Sequence, residues 1–249
     1  MDNTIETQLS HRSIREFTDR EVAADTLATL FEVAMRTSTS RGFQHAGLIR
    51  IRDSKIKEAL ACIGNQPYIA RAPELIVAVA DTRRSVRILE EKGADPTPAK
   101  SMDAFREGFT DAVLMLQNMS VAAESMGLGA TLLGSILNNI PELIKTLKLP
   151  QFTFPVLGIM LGYPAQEPQL KPRIPARLRV MEDVYQEPDS WIDTLTGYDK
   201  QMTTYYDTRD MNQRSDTFTD QVVRKLQTTP VKDAFFEYVI AQGFGSRLK

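Results

Sequence analysis

The stretch DAFREGFTDAVLMLQNMSVAAESMGLGATLL, Asp103 to Leu133, decides the fold that the sequence predicts. It predicts a helix from Asp103 to Met126, with apolar side chains almost continuous from Val113 to Met119. A helix that is apolar on all sides must be covered on all sides, and we expect a second subunit to supply part of that cover. Gly127 is placed to end the helix, because the left-handed backbone costs glycine least. Ala130 to Leu133 predicts a strand.

Short strands and amphipathic helices flank this stretch on both sides. Further strands are predicted from apolar runs at Leu48 to Ile51, Leu75 to Ala80 and Phe154 to Leu161. The second of these runs is apolar on both faces, which predicts a strand inside the sheet. A helix is predicted at Val22 to Met35, with Asp25 as its candidate cap. Two more are predicted to begin after Asp53 and after Asn139. Further helices are predicted at Trp191 to Tyr206, Thr217 to Leu226 and Ala234 to Ala241. The connections are too irregular for a doubly wound sheet, so we predict an α+β fold.

The composition argues against several classes of function. A formal net charge of −2, from 30 basic and 32 acidic residues, provides no global attraction to nucleic acid or to an anionic membrane. Two histidines, one cysteine and no clustered acids at ligand spacing argue against a metal site. The GxSxG, GxGxxG and Walker motifs of hydrolases, Rossmann dehydrogenases and kinases do not occur in the sequence.

The sequence predicts a cytoplasmic protein with one free thiol. Residues 1–10 are polar, and no apolar stretch approaches the roughly 20 residues of a membrane span. The single cysteine, Cys62, excludes an intrachain disulfide and fits a reducing compartment. Cys62 shares a helical apolar pattern with its neighbours, so we expect its side chain to pack in the core.

The first cluster with binding chemistry is HRSIR, His11 to Arg15. Its two guanidinium groups and its hydroxyl are suited to a phosphate, because guanidinium pairs with phosphate oxygens through two parallel hydrogen bonds. A solvated basic turn would have the same composition. These residues alone leave both interpretations open.

Two polar clusters are suited to a flavin ring or its ribityl chain. Ser38 to Ser40, with Gln44 behind them, supply hydroxyls and an amide, although loops favour such residues for conformational reasons as well. Gln66 precedes a proline, and Leu133 to Ser135 lie where a buried strand ends. Glycine at that point allows the backbone to approach a flat ring closely, although a single strand-end glycine is a weak signal.

Two cations flank a proline further along the chain. Pro172 tends to hold Lys171 and Arg173 in a defined, extended arrangement. Fixed positive charge beside a flavin would favour its reduced, anionic form. A solvated linker is the alternative interpretation.

In their order along the chain, these clusters resemble the nitroreductase superfamily, most closely its NADPH-dependent branch of oxygen-insensitive nitroreductases and flavin reductases. The resemblance covers nearly the whole chain. Ser135 stands where a second glycine is common, and Arg41 and Gly42 replace further hydroxyl residues, departures that bear on acceptor choice. The matching motifs are HRSIR at His11 to Arg15, the hydroxyl cluster with Gln44, Gln66, MGLGATLLGSILNN at Met126 to Asn139, LKLP at Leu147 to Pro150, LGYPAQEPQLKPRIPA at Leu161 to Ala176, and the YYDTR and DTF segments near the C-terminus.

The resemblance implies a single domain over residues 1–249, with a central, mostly antiparallel sheet flanked by helices, an intertwined homodimer, and a C-terminal extension at 171–249 packed on the core. It implies FMN and NADPH as cofactors, with no catalytic side chain because FMN carries the chemistry. The implied FMN-binding residues are His11, Arg12, Ser13, Arg15, Ser38, Thr39, Ser40, Gln44, Gln66, Leu132, Leu133, Gly134, Ser135, Lys171 and Arg173. Those from Ser38 to Gln44 would reach the FMN of the partner subunit, and Arg209, with Arg214, would recognise the 2′-phosphate of NADPH.

The implied function is the reduction of nitroaromatics, quinones or free flavins by NADPH in a ping-pong, two-electron cycle. Small aromatic or quinone compounds would be the electron acceptors, with neither nucleic acid nor membrane as a partner. The alternative is a non-catalytic flavin-binding or regulatory protein of the same fold, which would not turn over NADPH.

Overall fold

The computed structural model describes residues 3–208, 215–228 and 234–245. The strands in these ranges form a sheet in the order β1-β2-β4-β3. Its members are β1 (Ala46–Ile51), β2 (Glu74–Asp81), β3 (Gly129–Leu133) and β4 (Thr153–Gly162). Each pair of neighbouring strands is antiparallel, and α-helices surround the sheet, so the predicted α+β fold is confirmed.

The predicted helices are present, with small shifts at their ends. Asp53 and Asn139 are N-caps: Asp53 accepts a hydrogen bond from the backbone nitrogen of Lys55 and Asn139 accepts one from that of Glu142. The predicted cap at Asp25 is wrong, because Asp25 lies within the first turn. The α-helices of the described ranges are α1 (Asn3–Leu9), α2 (Ala24–Met35), α3 (Ser54–Gly64), α4 (Arg83–Glu91), α5 (Met102–Ser125), α6 (Ile140–Thr146), α7 (Trp191–Thr208), α8 (Phe218–Thr228) and α9 (Phe235–Ala241).

Strand β2 is buried on both faces, as its apolar run predicts. Alternate side chains of a strand point to opposite faces. Ile76 and its alternate neighbours pack in the core that includes Leu116 of α5, whereas Leu75 and its alternate neighbours pack in the core that includes Leu60 of α3. The sheet therefore lies between two apolar layers.

Helix α5 is the longest helix of the described ranges, and the described residues leave one of its sides uncovered. Ala112, Leu116 and Met119 are buried against the sheet and α2. Val113 and Leu114, on the other side, are 37% and 44% exposed. The predicted need for additional cover is thus visible in the exposed apolar side chains.

The prediction that Cys62 packs in the core is wrong, because its side chain is exposed. Helix α3 buries Leu60, Ala61 and Gly64 against the rest of the chain. Position 62 lies about 200° around the helix from Leu60, at 3.6 residues per turn, and so points away from that face.

The chain divides into two compact units, Met1–Glu167 with Asp233–Lys249, and Pro168–Lys232. The last helix, α9, thus belongs to the first unit, where Phe244 beyond its end packs on Phe105 with ring centroids 5.1 Å apart. The second unit has its own small core, built around Tyr198 and Met202. In the described part of the chain, no helix is both long enough and apolar enough to cross a membrane.

Candidate functional site

The HRSIR segment lies along the edge of the sheet, beside β3. Ser13 forms a parallel bridge with Ala130, and the backbone nitrogen of Ile14 donates to the carbonyl of Ala130 at 3.0 Å. Gly129 permits this approach, because a Cβ at that position would lie 2.6 Å from Cγ1 of Ile14. The sequence therefore fixes the cationic segment to a strand of the sheet.

A side-chain amide holds the end of the same segment. Oε1 of Gln166 accepts hydrogen bonds from the backbone nitrogens of Arg15 and Glu16, at 3.2 Å and 2.8 Å. The backbone of Arg15 is fixed by this contact, and its side chain is exposed. Gln166 lies within the LGYPAQEP motif, but its spacing in the sequence gave no signal of this role.

His11 is oriented by a carboxylate from the end of α5. Nδ1 of His11 lies 2.6 Å from Oε1 of Glu124. Burial raises the pKa of Glu124, and the hydrogen bond with His11 opposes that shift. The ring is held through Nδ1, so Nε2 points away from Glu124.

Arg12 has an unused donor inside this segment. Its Nη1 donates to the carbonyl of Ser10 at 3.2 Å, while its Nε is buried and has no hydrogen-bond partner among the described residues. A buried guanidinium donor without a partner is unfavourable. An anionic group such as the phosphate of FMN would satisfy it, so this segment fits the group that the resemblance implies.

The predicted ring-lining residues meet at the far end of β3. Oγ of Ser135 donates to Oε1 of Gln66 at 2.7 Å, which joins the end of β3 to the chain after α3. At Gly134 an added Cβ would meet no atom within 4 Å, so the backbone there borders open space. Leu132 is 37% exposed, whereas Leu133 is 2% exposed and packs in the core. Leu133 can therefore reach a ligand only through its backbone.

Residues 38–44, which we call the hydroxyl loop, lie beside the N-terminal half of α5. The backbone nitrogen of Ser40 donates to Oδ1 of Asp111 at 2.9 Å. The HRSIR segment contacts Glu124 instead. Glu124 lies thirteen positions after Asp111 on this helix, about 20 Å away at 1.5 Å per residue. Within one chain, the hydroxyl loop and the HRSIR segment are thus anchored far apart.

Lys171 and Arg173 belong to the second unit, where Lys171 and the neighbouring Pro172 contact tyrosines of α7. The hydroxyl of Tyr198 donates to the carbonyl of Pro172 at 3.2 Å, and Nζ of Lys171 lies 5.9 Å from the ring centroid of Tyr206. Burial raises the pKa of Tyr198, which keeps its hydroxyl protonated as a donor. The two residues predicted to bind the 2′-phosphate, Arg209 and Arg214, lie outside the described residues.

A separate charged groove of about 430 Å³ lies beside β1, and the residues that line it include none of the predicted site residues. Its strongest charges are paired within the protein. Arg50 donates to both carboxylate oxygens of Glu74, and Nζ of Lys57 donates to the carbonyls of Ala72 and Pro73. These contacts satisfy Arg50, Glu74 and Lys57 within the protein.

Comparison with known sequences decides the family. The profile described as "Nitroreductase family" matches residues 9–163, and the profile described as "Nitroreductase family, C-terminal domain" matches residues 171–247. The chain belongs to the nitroreductase family. The motifs from which the resemblance was inferred lie within these two regions, except that the motif at Leu161 to Ala176 also spans the residues between them.

Relatives within the family are similar over their full length. The chain is 38% identical to an oxygen-insensitive NADPH nitroreductase of Salmonella typhimurium, over 99% of this chain and 100% of the relative. It is 36% identical to an FMN reductase (NADPH) of Bacillus subtilis, over 98% and 99% of the two chains. Among solved structures, the NADPH:FMN oxidoreductase of Vibrio harveyi complexed with NAD+ superimposes with a TM-score of 0.86, at 32% identity, over 99% of this chain and 100% of the other.

Proposed function

We propose that this member of the nitroreductase family is an FMN-dependent NADPH oxidoreductase that reduces nitroaromatics, quinones or free flavins by a ping-pong, two-electron mechanism. The observation that carries the proposal is that the cationic HRSIR segment lies beside the start of β3, while the backbone just after the end of β3, at Gly134, borders open space. Ser13 pairs with Ala130, and Gly134 lies four residues further, roughly 13 Å at strand rise. An elongated ligand with a phosphate at one end and a flat ring at the other fits this arrangement.

The bound FMN supplies the redox chemistry, which is hydride acceptance from NADPH and delivery of two electrons to the acceptor. The protein's residues bind and orient. Arg12 and Arg15 offer guanidinium groups to the phosphate, and His11 offers Nε2 while Glu124 holds its other nitrogen. Gly134 leaves room for the ring edge, beside the hydrogen-bonded pair of Gln66 and Ser135. We propose no catalytic side chain.

We place Lys171 and Arg173 near the pyrimidine end of the flavin, where fixed positive charge favours the reduced, anionic form. The support is their charge and the tyrosine contacts of Lys171 and Pro172 in the second unit. We assign recognition of the NADPH 2′-phosphate to Arg209, assisted by Arg214. The names of the Salmonella and Bacillus relatives, which specify NADPH, support this choice of reductant.

We propose that the working unit is a homodimer in which the hydroxyl loop of one chain completes the FMN site of the other. Two features support it. The loop and the HRSIR segment are anchored about 20 Å apart on α5, at distant points of the same chain. The uncovered side of α5 also exposes Val113 and Leu114, which a partner would bury.

We propose a single functional domain in which residues 171–249 extend the core, and a location in the cytoplasm. The location is supported by the lone cysteine, Cys62, which is suited to a reducing compartment. Small aromatic and quinone compounds are the proposed acceptors, with neither nucleic acid nor membrane as a partner.

The decisive experiment measures cofactor content and turnover together. The purified protein should be yellow, with about one non-covalent FMN per chain, and Arg15→Ala should weaken FMN retention by roughly tenfold because it removes a charge-assisted bond to the phosphate. NADPH oxidation should accelerate when menadione or nitrofurazone is added. A protein that stays colourless after incubation with FMN would contradict the proposal. FMN binding without NADPH turnover would identify a flavin-binding protein instead.

A further inference from the structure

The hydroxyl loop follows a backbone path that other parts of the chain must stabilise. Arg41, Gly42 and Gln44 have φ angles of 52°, 70° and 56°. The left-handed region is unfavourable for residues that carry a side chain, and two of these three do. The loop therefore requires contacts that hold it in this path.

Two carboxylates of α5 make the first of these contacts. Oδ1 of Asp111 accepts from the backbone nitrogen of Ser40 at 2.9 Å, and Oε2 of Glu107 accepts from Nη2 of Arg41 at 2.8 Å. Glu107 and Asp111 are one helical turn apart and so project from the same side of α5. Together they hold the middle of the loop.

Arg84 of α4 holds the end of the loop. Its Nη2 donates to the carbonyls of Phe43 and Gln44. The next residue, His45, packs directly on α5, because a Cβ at Gly108 would lie only 2.5 Å from the carbonyl oxygen of His45. The loop is thus fixed to α5 at its middle and immediately after its end.

The burial of these two carboxylates is unfavourable for the stability of the fold. Glu107 and Asp111 are only 4% and 1% exposed, on the side of α5 that also packs Ala112 and Met115 into the core. Buried carboxylates are costly, and well-packed apolar residues are often as stabilising or more so. Oδ2 of Asp111 also has no hydrogen-bond partner in the part of the chain that the structure describes. The loop contacts account for both acids.

We propose that Glu107 and Asp111 are positioning residues of the flavin site, which hold the hydroxyl loop in the path that presents its hydroxyls to the FMN of the partner subunit. This inference rests on the proposed function. The same helix carries these two buried carboxylates and the exposed apolar side chains of Val113 and Leu114. Helix α5 therefore fixes the position of the hydroxyl loop relative to the apolar surface that we propose meets the partner.

The test compares FMN binding by apo-dimers of three variants. Asp111→Ala removes the acceptor of Ser40, and we expect the dissociation constant of FMN to rise by at least about tenfold. Asp111→Asn keeps an acceptor oxygen and should recover part of that loss. Asp103→Asn is the matched control, since Asp103 lies on the same helix but pairs with Arg106 on the exposed side; it should bind FMN like the parent protein.

The outcomes separate this inference from the proposed function. If the parent protein binds FMN and Asp111→Ala binds it equally tightly as a folded dimer, the inference is overturned while the proposed function stands. If the parent protein does not bind FMN, both are overturned. Should Asp111→Ala fail to fold, Arg41→Ala breaks the contact with Glu107 from an exposed side chain and must weaken FMN binding in the same way.

A mixed dimer tests whether the loop acts across the interface. One chain carries Asp111→Ala and the other carries Arg15→Ala, with different purification tags. If the loop serves the partner's flavin, one site combines an intact phosphate segment with an intact loop, and about one FMN per dimer should bind with the parent affinity. If both elements act within one chain, each site is defective. Absence of a tight site would therefore overturn the proposal.

Discussion

Nδ1 of His11 and Oε1 of Glu124 lie 2.6 Å apart, and this pair ties the first loop of the chain to the end of α5. Glu124 is half-buried and its pKa is raised by that burial, so its position carries a cost that the bond to His11 partly offsets. The pair fixes the plane of the imidazole ring. Its other nitrogen is thereby presented to the proposed phosphate site.

The first prediction concerns this pair. Glu124→Ala should weaken FMN binding by roughly tenfold, because the imidazole loses the acceptor that orients it. Glu124→Gln keeps an acceptor oxygen and should lose less. Titration of the apo-protein with FMN, followed by flavin fluorescence, measures both. Glu142→Ala, at an exposed glutamate of α6, serves as control and should leave binding unchanged. Equal binding by Glu124→Ala and the parent would contradict the role of Glu124.

The second prediction concerns the dimer. Sedimentation of the parent protein should give about twice the chain mass of 28.0 kDa. Leu114→Lys places a charge on the uncovered side of α5 and should produce monomers that retain little FMN, because each site lacks the partner's loop. Ile88→Lys changes an equally exposed apolar residue on α4 and should leave the dimer intact. A folded, active monomer of the parent protein at micromolar concentration would refute the proposal.

The third prediction concerns the choice of nicotinamide cofactor. Charge-assisted bonds to the 2′-phosphate contribute ~1.5–3 kcal/mol, so Arg209→Ala should raise the KM for NADPH at least about tenfold. Steady-state kinetics with NADH should hardly change, because NADH lacks that phosphate. Arg214→Ala should have a smaller effect on NADPH. An equal response of both cofactors, or a parent enzyme that already uses NADH as well as NADPH, would show that Arg209 has another role.

The fourth prediction concerns His45, which packs beside the hydroxyl loop. Burial lowers the pKa of His45 from its ordinary 6.5, opposed by the charges of Glu107 and Asp111 and reinforced by those of Arg84 and Arg41. The unfolded chain therefore takes up this proton at a higher pH than the folded chain. The contribution of His45 to the free energy of unfolding should fall as pH drops below 6.5 and level off below the folded pKa.

Two measurements check the behaviour of His45. The chain has two histidines, so His45→Gln assigns the imidazole signals in an NMR titration, and the His45 signal should titrate below 6.5. Denaturation of apo-protein at several pH values should show that His45→Gln loses less stability than the parent as pH falls. A His45 midpoint at or above 6.5 would contradict the prediction.

Much of the fold was accessible from the sequence because its elements have clear periodic patterns. The run at Leu75 to Ala80 predicted a doubly buried strand, and the caps at Asp53 and Asn139 are local signals with local causes. Helix α4 was not predicted. It buries only Val86, and most of its residues are charged, so its sequence offers few apolar side chains.

The candidate site was accessible only in part. Chemistry and order along the chain led us to predict that a ligand contacts the HRSIR segment and Gly134, and this stays a prediction. Gln166 and Glu124 were missed because they act on other protein groups across long sequence separations, and their neighbours in the sequence carry no sign of it. Glu107 and Asp111 did carry a signal, namely two acids one turn apart on the apolar side of a helix.

The separation of Asp111 and Glu124 on α5 also restricts how this gene can vary in length. Inserting one residue between them would turn the far half of the helix by about 100° and shift it by about 1.5 Å. Glu124 and Asp111 could then no longer contact His11 and Ser40 at the same time, even though neither side chain had changed. We therefore expect insertions and deletions to accumulate in the turn before α5 and to be absent between these two acids.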